Sequence, residues 1–422
     1  MKTFHIITFG CQMNEYDSAV IKEMLKENGF VYTDSPDAAN IVIVNGCVVR
    51  EKPEKKEIEL LKYYKKRGKF VVAAGCLAQK DKKALLEFSD LVVGPMEYDN
   101  LPEIIKRPGV FTDYNKERDK FYEYARKRDE VGFSEYVTIM TGCDNFCSYC
   151  VVPFTRGREK SRPPWDIIDE VKGLIAKGTK EITLIGQNVN SYFYEGVDFK
   201  DLLQMISKLN VKRIRFTTSH PRDISLAVFD IMAKRDNIMP HIHLPVQTGS
   251  NKLLKEMRRG YTREEYIYIV NTARKIIPDI VISADIMVGY PTETEEDFLS
   301  TLDLVKRVQF DYAYMFIYSP RKPSIAYYRY KEQLPKEVAV RRHRRLVETV
   351  QQIVIKKRKD MIGKTYEVMI DGHAKKNEGL SRGKTRGNIT VVVEKHIPEG
   401  EFVKVKITHV NGTTPIGKPI KT

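Results

Sequence analysis

Short apolar runs alternate with amphipathic segments along the first part of the chain. The runs occupy residues 4–9, 41–44 and 70–74. Each is continuous and apolar, as in a parallel strand that is buried on both faces. Helical patterns occupy residues 17–28 and 52–66 between them. This βαβ order predicts an open parallel sheet, and we assign residues 1–114 to an N-terminal α/β domain.

The alternation of strand and helix resumes near residue 132 and repeats six times. The predicted strands span residues 136–140, 181–185, 213–217, 241–246, 281–288 and 312–318. Six consecutive βα units exceed a minimal open sheet and favour a curved, partial barrel over residues 132–335. The active residues of such a barrel are expected at the carboxyl ends of its strands.

Three further segments complete the predicted organisation. Residues 115–131 are highly charged and lack apolar periodicity, which indicates an exposed linker or a short surface helix. Residues 336–362 contain a strongly basic helical pattern and form a connector. Short alternating strands separated by glycines and polar turns over residues 363–422 predict a small antiparallel β-barrel.

The bulk composition narrows the class of protein. The net charge of +15 favours an anionic partner such as nucleic acid, and general thermostable surface chemistry is the alternative. No apolar run reaches the roughly 18 residues of a membrane helix, and the first strand lacks the features of a signal peptide. We therefore expect a cytoplasmic protein without a membrane partner, acting as a monomer.

The placement of the six cysteines is the clearest chemical signal. In a long cytoplasmic chain, such cysteines favour metal binding over disulfides. Cys11, Cys47 and Cys76 each follow a glycine directly after one of the three apolar runs. Since ligands bind at the carboxyl edge of parallel α/β sheets, this repetition predicts a shared three-thiolate site. The alternative is three separate buried thiols.

The other three cysteines, Cys143, Cys147 and Cys150, share one loop after the first strand of the predicted barrel. A structural zinc site normally has four ligands, and no nearby cysteine or histidine completes either set. A 4Fe–4S cluster held by three thiolates instead leaves one iron open to a substrate or cofactor.

This loop, with Tyr149 directly before its last cysteine, resembles the cluster motif of the radical S-adenosylmethionine (SAM) superfamily. The resemblance implies that the open iron binds the methionine part of SAM and that the cluster cleaves SAM to a 5′-deoxyadenosyl radical. Over essentially the whole chain, the three-part organisation resembles the radical SAM methylthiotransferases. The tail then resembles a TRAM domain, a small RNA-binding barrel.

Membership of that family implies further cofactors and partners. A second 4Fe–4S cluster would sit on Cys11, Cys47 and Cys76 and carry the sulfur that is transferred. Two SAM molecules would be used per turnover, one for the methyl group and one for the radical. A low-potential electron donor of the flavodoxin or ferredoxin type would supply the electron.

Local motifs at residues 9–14, 186–192 and 218–221 resemble one branch of the family. That branch methylthiolates C2 of N6-dimethylallyl (isopentenyl) adenosine-37 in the tRNA anticodon stem-loop. The alternatives are a methylthiotransferase acting on threonylcarbamoyl-adenosine in tRNA or on a ribosomal protein. A more distant alternative is a zinc-stabilised RNA-binding protein without catalysis.

By resemblance to the fold, several polar residues line the cofactor cleft, with interior polar packing as the alternative. The predicted SAM contacts are Tyr149, Gln187, Ser219, Gln247 and Asp285. The predicted RNA contacts are Arg156, Arg158 and Arg162 beside the cluster loop, and Arg382, Lys384 and Arg386 on one exposed loop of the barrel.

Two further polar features are expected to serve structure rather than chemistry. His241 and His243 face the same side of one strand, and we expect them to form interior hydrogen bonds. Asp17 is expected to cap a helix.

Overall fold

The computed structural model describes residues 2–48, 51–114, 116–374 and 377–420. It contains an N-terminal α/β domain, a central partial barrel and a C-terminal closed β-barrel. The N-terminal elements are β1 Thr3–Thr8, α1 Gln12–Glu27, β2 Val31–Tyr32, β3 Ile41–Gly46, α2 Glu51–Lys66, β4 Phe70–Gly75, α3 Cys76–Lys80, α4 Lys82–Leu85, β5 Leu91–Val93, α5 Leu101–Ile104, β6 Gly109–Phe111 and α6 Asp119–Lys127.

The N-terminal sheet is parallel throughout, with strand order β2-β1-β3-β4-β5-β6. Its central strands β3 and β4 are almost entirely buried because helices cover both faces. Alternate residues of β3 therefore enter two separate cores, with Ile43 on the side of α1 and Val44 on the side of α2. The three strands predicted from the sequence are confirmed. The prediction missed β2, β5 and β6, which are too short for a period to show.

The segment predicted as an exposed linker or a short surface helix contains α6. The expectation that it is exposed was wrong, because Phe121 and Ala125 of α6 are buried against α1. The helix has one apolar side within a very polar sequence, and that side completes the N-terminal core.

The central elements follow in chain order. They are β7 Ser134–Thr138, β8 Met140–Thr141, β9 Lys160–Ser161, α7 Pro164–Ala176, β10 Glu181–Ile185, β11 Phe193–Tyr194, β12 Val197–Asp198, α8 Phe199–Ser207, β13 Arg213–Phe216, α9 Ala227–Lys234, β14 His241–His243, α10 Asn251–Glu256, α11 Arg263–Ile276, β15 Val281–Val288, α12 Glu295–Val308, β16 Tyr312–Ile317, α13 Ile325–Arg329 and α14 Lys336–Lys359.

Six parallel strands of this region form the partial barrel. They lie in two sheets, β7-β10-β13 and β14-β15-β16, which meet where Ile214 pairs with Ile238. One continuous apolar core fills the space between the strands and the outer helices. Thr262 with Glu265, and Thr294 with Asp297, form capping boxes that begin α11 and α12. The predicted six-unit curved sheet is confirmed.

The tail is a closed barrel of five strands. These strands are β17 Thr365–Ala374, β18 Asn377–Thr385, β19 Thr390–Val393, β20 Phe402–Asn411 and β21 Thr414–Pro419. They close in the order β17-β18-β19-β21-β20, and every pair is antiparallel except β19 with β21. Closure removes the exposed edges that a short antiparallel sheet would otherwise present.

Two buried carboxylates, each held between two arginines, join the N-terminal and central regions. Asp17 of α1 accepts hydrogen bonds from Arg118 at 2.7 Å and from Arg156 at 2.9 Å. Glu170 of α7 accepts from Arg128 at 3.1 Å and from Arg162 at 2.8 Å. A buried ion that loses its partner is strongly destabilising, so these groups require the two regions to dock in one arrangement.

Arginines of β13 fix the tail against the partial barrel. Arg215 donates to the backbone oxygens of Thr385 and Arg386, both at 2.9 Å, and to Glu181 at 2.8 Å. Arg213 donates to the backbone oxygen of Lys384 at 3.0 Å. The end of β18 is therefore held inside an interface.

The tail residues predicted to contact RNA do not share one exposed loop. Arg382 and Lys384 lie in β18 and Arg386 follows it, and all three are only partly exposed. Arg382 donates to Asp371 at 2.8 Å, and Arg386 donates to Asp236 at 2.8 Å. The sequence shows these residues as a basic run, but it does not show that the fold places Asp371 and Asp236 next to them.

Within the described residues, no helix is both long enough and apolar enough to cross a membrane. The longest helix, α14, ends in four basic residues and is strongly polar.

Replacing Arg215 by alanine is expected to destabilise the protein strongly. The buried carboxylate of Glu181 would lose its cation, which costs about 3–5 kcal/mol. Arg386→Ala is the matched control, because it removes an ion pair with Asp236, whose side chain is 95% exposed. Such a pair contributes about 0–1 kcal/mol. Thermal unfolding followed by circular dichroism compares the two, and equal losses of stability would contradict the docking role of Arg215.

Candidate active site with two cysteine sets

The first cysteine set lies at the carboxyl edge of the N-terminal sheet. Cys11, Cys47 and Cys76 follow β1, β3 and β4, which are neighbours in the sheet. Gly46 and Gly75 pair in register, so Cys47 and Cys76 leave the sheet side by side. The predicted convergence of these three residues on one edge therefore holds.

Glycine is required before two of these cysteines. Gly10 has φ +122°, and a Cβ atom there would lie 2.6 Å from Cβ of Cys47. Gly75 has φ +87°, and its Cβ would lie 2.5 Å from Oδ1 of Asn45. A side chain at either position would be strained and would push the strand ends apart.

Two buried asparagines hold the strand ends together beneath the thiols. Asn14 donates to Oδ1 of Asn45 and to the backbone oxygen of Gly46, both at 3.0 Å. Asn45 donates in return to the backbone oxygen of Asn14 at 3.0 Å. The Sγ atom of Cys11 lies 3.4 Å from Oδ1 of Asn14. This network explains the polar residue that follows the otherwise apolar run of β3.

A buried arginine from the central region contacts the first set. Nε of Arg156 lies 3.3 Å from Sγ of Cys76, and its Nη2 donates to Asp17. Burial by itself lowers the pKa of Arg156, but the Cys76 and Asp17 charges more than offset it, so the guanidinium stays protonated. The expectation that Asp17 caps a helix was wrong. The helix α1 begins at Gln12, and Asp17 lies in its second turn.

The second set lies on the loop after β8, at the top of the partial barrel. The backbone N–H of Cys143 donates to Gly157 at 3.2 Å, and that of Cys150 donates to Cys147 at 2.9 Å. Gly142 has φ +79°, and a Cβ there would lie 1.9 Å from the backbone oxygen of Arg158. The loop is thus wound tightly enough to place its three thiols close together.

Burial favours the protonated form of three of the thiols. Burial raises the pKa of Cys11, that of Cys143 to about 11 and that of Cys150 to about 12. These thiols become thiolates near neutral pH only when a metal centre replaces their protons.

Each cysteine set offers three thiols, whereas a structural zinc site normally has four ligands. In the described part of the chain, no three His, Cys, Asp or Glu side chains converge so as to hold one metal ion. Zinc requires all its sulfurs within about 2.3 Å of one point. A 4Fe–4S cluster is ligated by cysteine thiolates, and a set of three leaves one of its irons open.

The residues predicted to contact SAM lie around the top of the partial barrel or inside it. Gln187 follows β10, and its Oε1 accepts from the N–H of Gly142 at 2.6 Å, which supports the cysteine loop. Gln247, at φ +71°, joins β15 through its backbone. Asp285 lies within β15, 3.5 Å from Nε2 of His243.

The other two predicted SAM contacts are also close to the second set. Ser219 is buried after β13, and its hydroxyl has no hydrogen-bond partner among the described residues. Tyr149 packs against the cluster of Met257, Tyr290 and Tyr318. Burial raises the pKa of the Tyr149 phenol well above its usual value, so the side chain stays neutral. The roles of all five residues remain predictions.

The basic run after the cysteine loop is not an open phosphate clamp. Arg156 is 3% exposed and Arg162 is 2% exposed, because both bind the buried carboxylates that join the two regions. Only Arg158 is exposed, and it donates to Asp144 at 2.6 and 3.0 Å. The predicted RNA contact is therefore wrong for Arg156 and Arg162.

Two functional neighbours of the second set were missed. Nη1 of Arg259 lies 3.3 Å from Sγ of Cys147, and its Nη2 donates to the backbone oxygen of Pro245 at 2.7 Å. His220 lies 4.0 Å from the same sulfur, and burial lowers its pKa to about 2, so the ring is neutral. His220 belongs to the motif at 218–221, whereas Arg259 looked like an ordinary loop cation.

The paired histidines of β14 form interior hydrogen bonds, as expected. Oγ of Ser283 lies 3.1 Å from His241 Nε2 and 3.0 Å from His243 Nδ1. The Tyr312 hydroxyl also contacts His241 at 2.7 Å. These partners account for the polar groups inside the barrel.

Comparison with family models divides the chain in the same way as its fold. Residues 3–94 match the Uncharacterized protein family UPF0004, residues 137–305 match the Radical SAM superfamily and residues 359–420 match the TRAM domain.

Solved structures support the fold alone. The radical SAM methyltransferase TsrM from Kitasatospora setae has a TM-score of 0.56 and 17% identity, covering 75% of this chain and 73% of that one. The cobalamin-dependent SAM radical enzyme OxsB has a TM-score of 0.53 and 11% identity, covering 84% and 58%.

Curated relatives match over nearly the full length. A tRNA-2-methylthio-N(6)-dimethylallyladenosine synthase from Azobacteroides pseudotrichonymphae is 40% identical, covering 99% of this chain and 97% of the relative. The enzyme of that name from Caldicellulosiruptor saccharolyticus is 42% identical, covering 93% and 87%. With a radical SAM barrel, a TRAM barrel and two three-cysteine sets, the chain belongs to the tRNA-2-methylthio-N(6)-dimethylallyladenosine synthase family of radical SAM enzymes.

Proposed function

We propose that this protein methylthiolates C2 of N6-dimethylallyl (isopentenyl) adenosine-37 in tRNA. The main support is the presence of two three-cysteine sets, one at the carboxyl edge of the N-terminal sheet and one on the loop after β8. Arg156, which follows that loop, contacts Cys76 of the first set. One set alone would serve radical chemistry. A second set beside it provides a place for the sulfur. The relatives with this substrate in their names span the same three regions.

Each cysteine set is proposed to bind one 4Fe–4S cluster. Cys143, Cys147 and Cys150 would hold the cluster that binds SAM, and Cys11, Cys47 and Cys76 would hold the second. When bound, the two clusters and two SAM molecules per turnover supply the sulfur, the methyl group and the radical, which no side chain provides. The chain itself must position these groups and exclude water.

The polar residues of the barrel top are proposed to orient SAM. Ser219 supports this role best, because its hydroxyl is buried and lacks a partner among the described residues. A buried hydroxyl without a hydrogen bond is costly, and a ligand atom would satisfy it. Tyr149, Gln187, Gln247 and Asp285 would complete the contacts to the cofactor.

The tail is proposed to bind the tRNA anticodon stem-loop. Small barrels of this kind hold RNA backbone, and the net charge of +15 favours it. The interface formed by Arg215 holds this barrel in one orientation relative to the two cysteine sets. The target adenosine would have to leave its stack to reach the site. Exposed Arg158 is the remaining candidate for phosphate contact beside the cysteine loop.

The remaining assignments also belong to this proposal. A low-potential flavodoxin or ferredoxin would donate electrons, and the protein would work in the cytoplasm as a monomer. The functional division would be residues 1–114, 132–335 and 363–422, with 115–131 and 336–362 as connectors.

Cys147→Ala is expected to remove half of the bound iron. After anaerobic reconstitution, the wild-type chain should hold about eight irons, and the variant about four, because one cubane is lost. Cys47→Ala is the matched control and should lose the other half. Iron and sulfide analysis measures both. Bound zinc without iron would contradict the proposal.

Substrate choice is tested by incubating the reconstituted protein anaerobically with SAM, a reductant and, in parallel reactions, tRNA carrying N6-dimethylallyladenosine, tRNA carrying threonylcarbamoyl-adenosine, or ribosomal protein. The methylthio product is expected only with tRNA that carries N6-dimethylallyladenosine, and nucleoside mass spectrometry detects it. Unmodified tRNA is the control. A product on threonylcarbamoyl-adenosine, or on a ribosomal protein instead of tRNA, would overturn the proposed substrate.

A further inference from the structure

Arg156 follows the second cysteine set in the chain, but its side chain contacts the first set. It lies six residues after Cys150, and its N–H donates to the backbone oxygen of Val152 at 2.9 Å, within the turn that follows the cysteine loop. Its side chain crosses into the N-terminal domain and reaches Cys76 and Asp17. The turn directly after the second cysteine loop therefore supplies a cation to the first set.

One N–H donor group of the Arg156 guanidinium, Nη1, makes no hydrogen bond within the described residues. Nε lies 3.3 Å from the Cys76 sulfur and Nη2 lies 2.9 Å from Asp17. Nη1 is buried and has no partner among the described residues. Nε and Nη1 of Arg118 on the same carboxylate are also buried and without a partner in that part of the chain. Buried guanidinium nitrogens without an acceptor are costly, so the two arginines together point to an anion that occupies the site.

The local charges support the same conclusion. Arg118 and Arg156 both bind Asp17, so this buried group carries one positive charge in excess. A 4Fe–4S core of charge 2+ with three thiolates carries one negative charge. The excess of the arginines is opposite in sign to the charge of such a cluster, and buried charges need this kind of pairing. The carboxylate of Glu57 also lies beside this set, where it accepts from the N–H of Cys47 at 3.1 Å.

We propose that Arg156 is a positioning residue for the N-terminal cluster, holding it through an N–H···S hydrogen bond to Cys76 and through its positive charge. This inference rests on the proposed function, which places a cluster on Cys11, Cys47 and Cys76. Hydrogen bonds to the sulfurs and nearby charge set the reduction potential of a cluster. A cation stabilises the more negative reduced form, so Arg156 raises the potential of this cluster.

The second set contains a matched interaction that serves as a control. Arg259 is buried and contacts Cys147 at 3.3 Å, as Arg156 contacts Cys76. Arg118 is a further control, because it shares Asp17 with Arg156 and, within the described residues, makes no hydrogen bond to a cysteine sulfur. Each of the two sulfur-contacting arginines should therefore affect the potential of the cluster on its own cysteine set.

The test uses the full-length chain with Cys143, Cys147 and Cys150 replaced by alanine, so that only the N-terminal cluster can form. The midpoint potential of the reconstituted protein is measured by redox titration followed by electron paramagnetic resonance. Arg156→Gln should shift the potential to more negative values. Arg156→Lys keeps the charge and should shift it less. Arg259→Gln should leave it unchanged, and Arg118→Gln should change it less than Arg156→Gln does.

An unchanged potential in Arg156→Gln, with iron bound as in the parent, would overturn the inference alone. A parent that binds no iron would overturn the second cluster of the proposed function and this inference with it. Loss of iron from Arg156→Gln supports the inference if the apoprotein keeps its circular dichroism spectrum and thermal midpoint. If that variant does not fold, Arg156→Met, which removes both the charge and the N–H donor, decides, and an unchanged potential there overturns the inference.

Discussion

The pairing of two buried carboxylates with four buried arginines is the interaction on which this structure depends. Asp17 lies between Arg118 and Arg156, and Glu170 lies between Arg128 and Arg162. Removing either carboxylate leaves two arginines without their partner in a dry interior, which costs far more than a surface ion pair contributes. The N-terminal sheet and the partial barrel therefore meet in one geometry, and the two cysteine sets are held at a set separation.

Buried arginines also hold the tail in place. Arg213 and Arg215 leave β13 and bind backbone oxygens at the end of β18, so the closed barrel is docked rather than tethered. A TRAM barrel held in this way presents its remaining surface at a constant position relative to the cysteine loop. Docking of this kind matters for chemistry on one base, because a small displacement of reacting groups is costly.

Apolar periodicity and the spacing of the cysteines were sufficient to predict the fold and the two cysteine sets. Continuous apolar runs such as 41–44 and 70–74 reflect strands buried on both faces, and such burial leaves little choice of residue. The short strands β5 and β6 have too few residues for a period, and the charged sequence of α6 concealed its buried side. These elements are stabilised by packing against elements that are distant in the chain, and a short stretch of sequence does not reveal that packing.

By itself, the sequence determined the three regions, the six cysteines and the glycines beside them, because chain direction and strand alternation are local properties. Only the tertiary structure decided which basic residues face solvent. Arg156 and Arg158 are two positions apart, yet one is buried on Asp17 and Cys76 and the other is exposed. Charge is visible in a sequence, but its partner lies 139 residues away for Arg156, and only folding brings the two together.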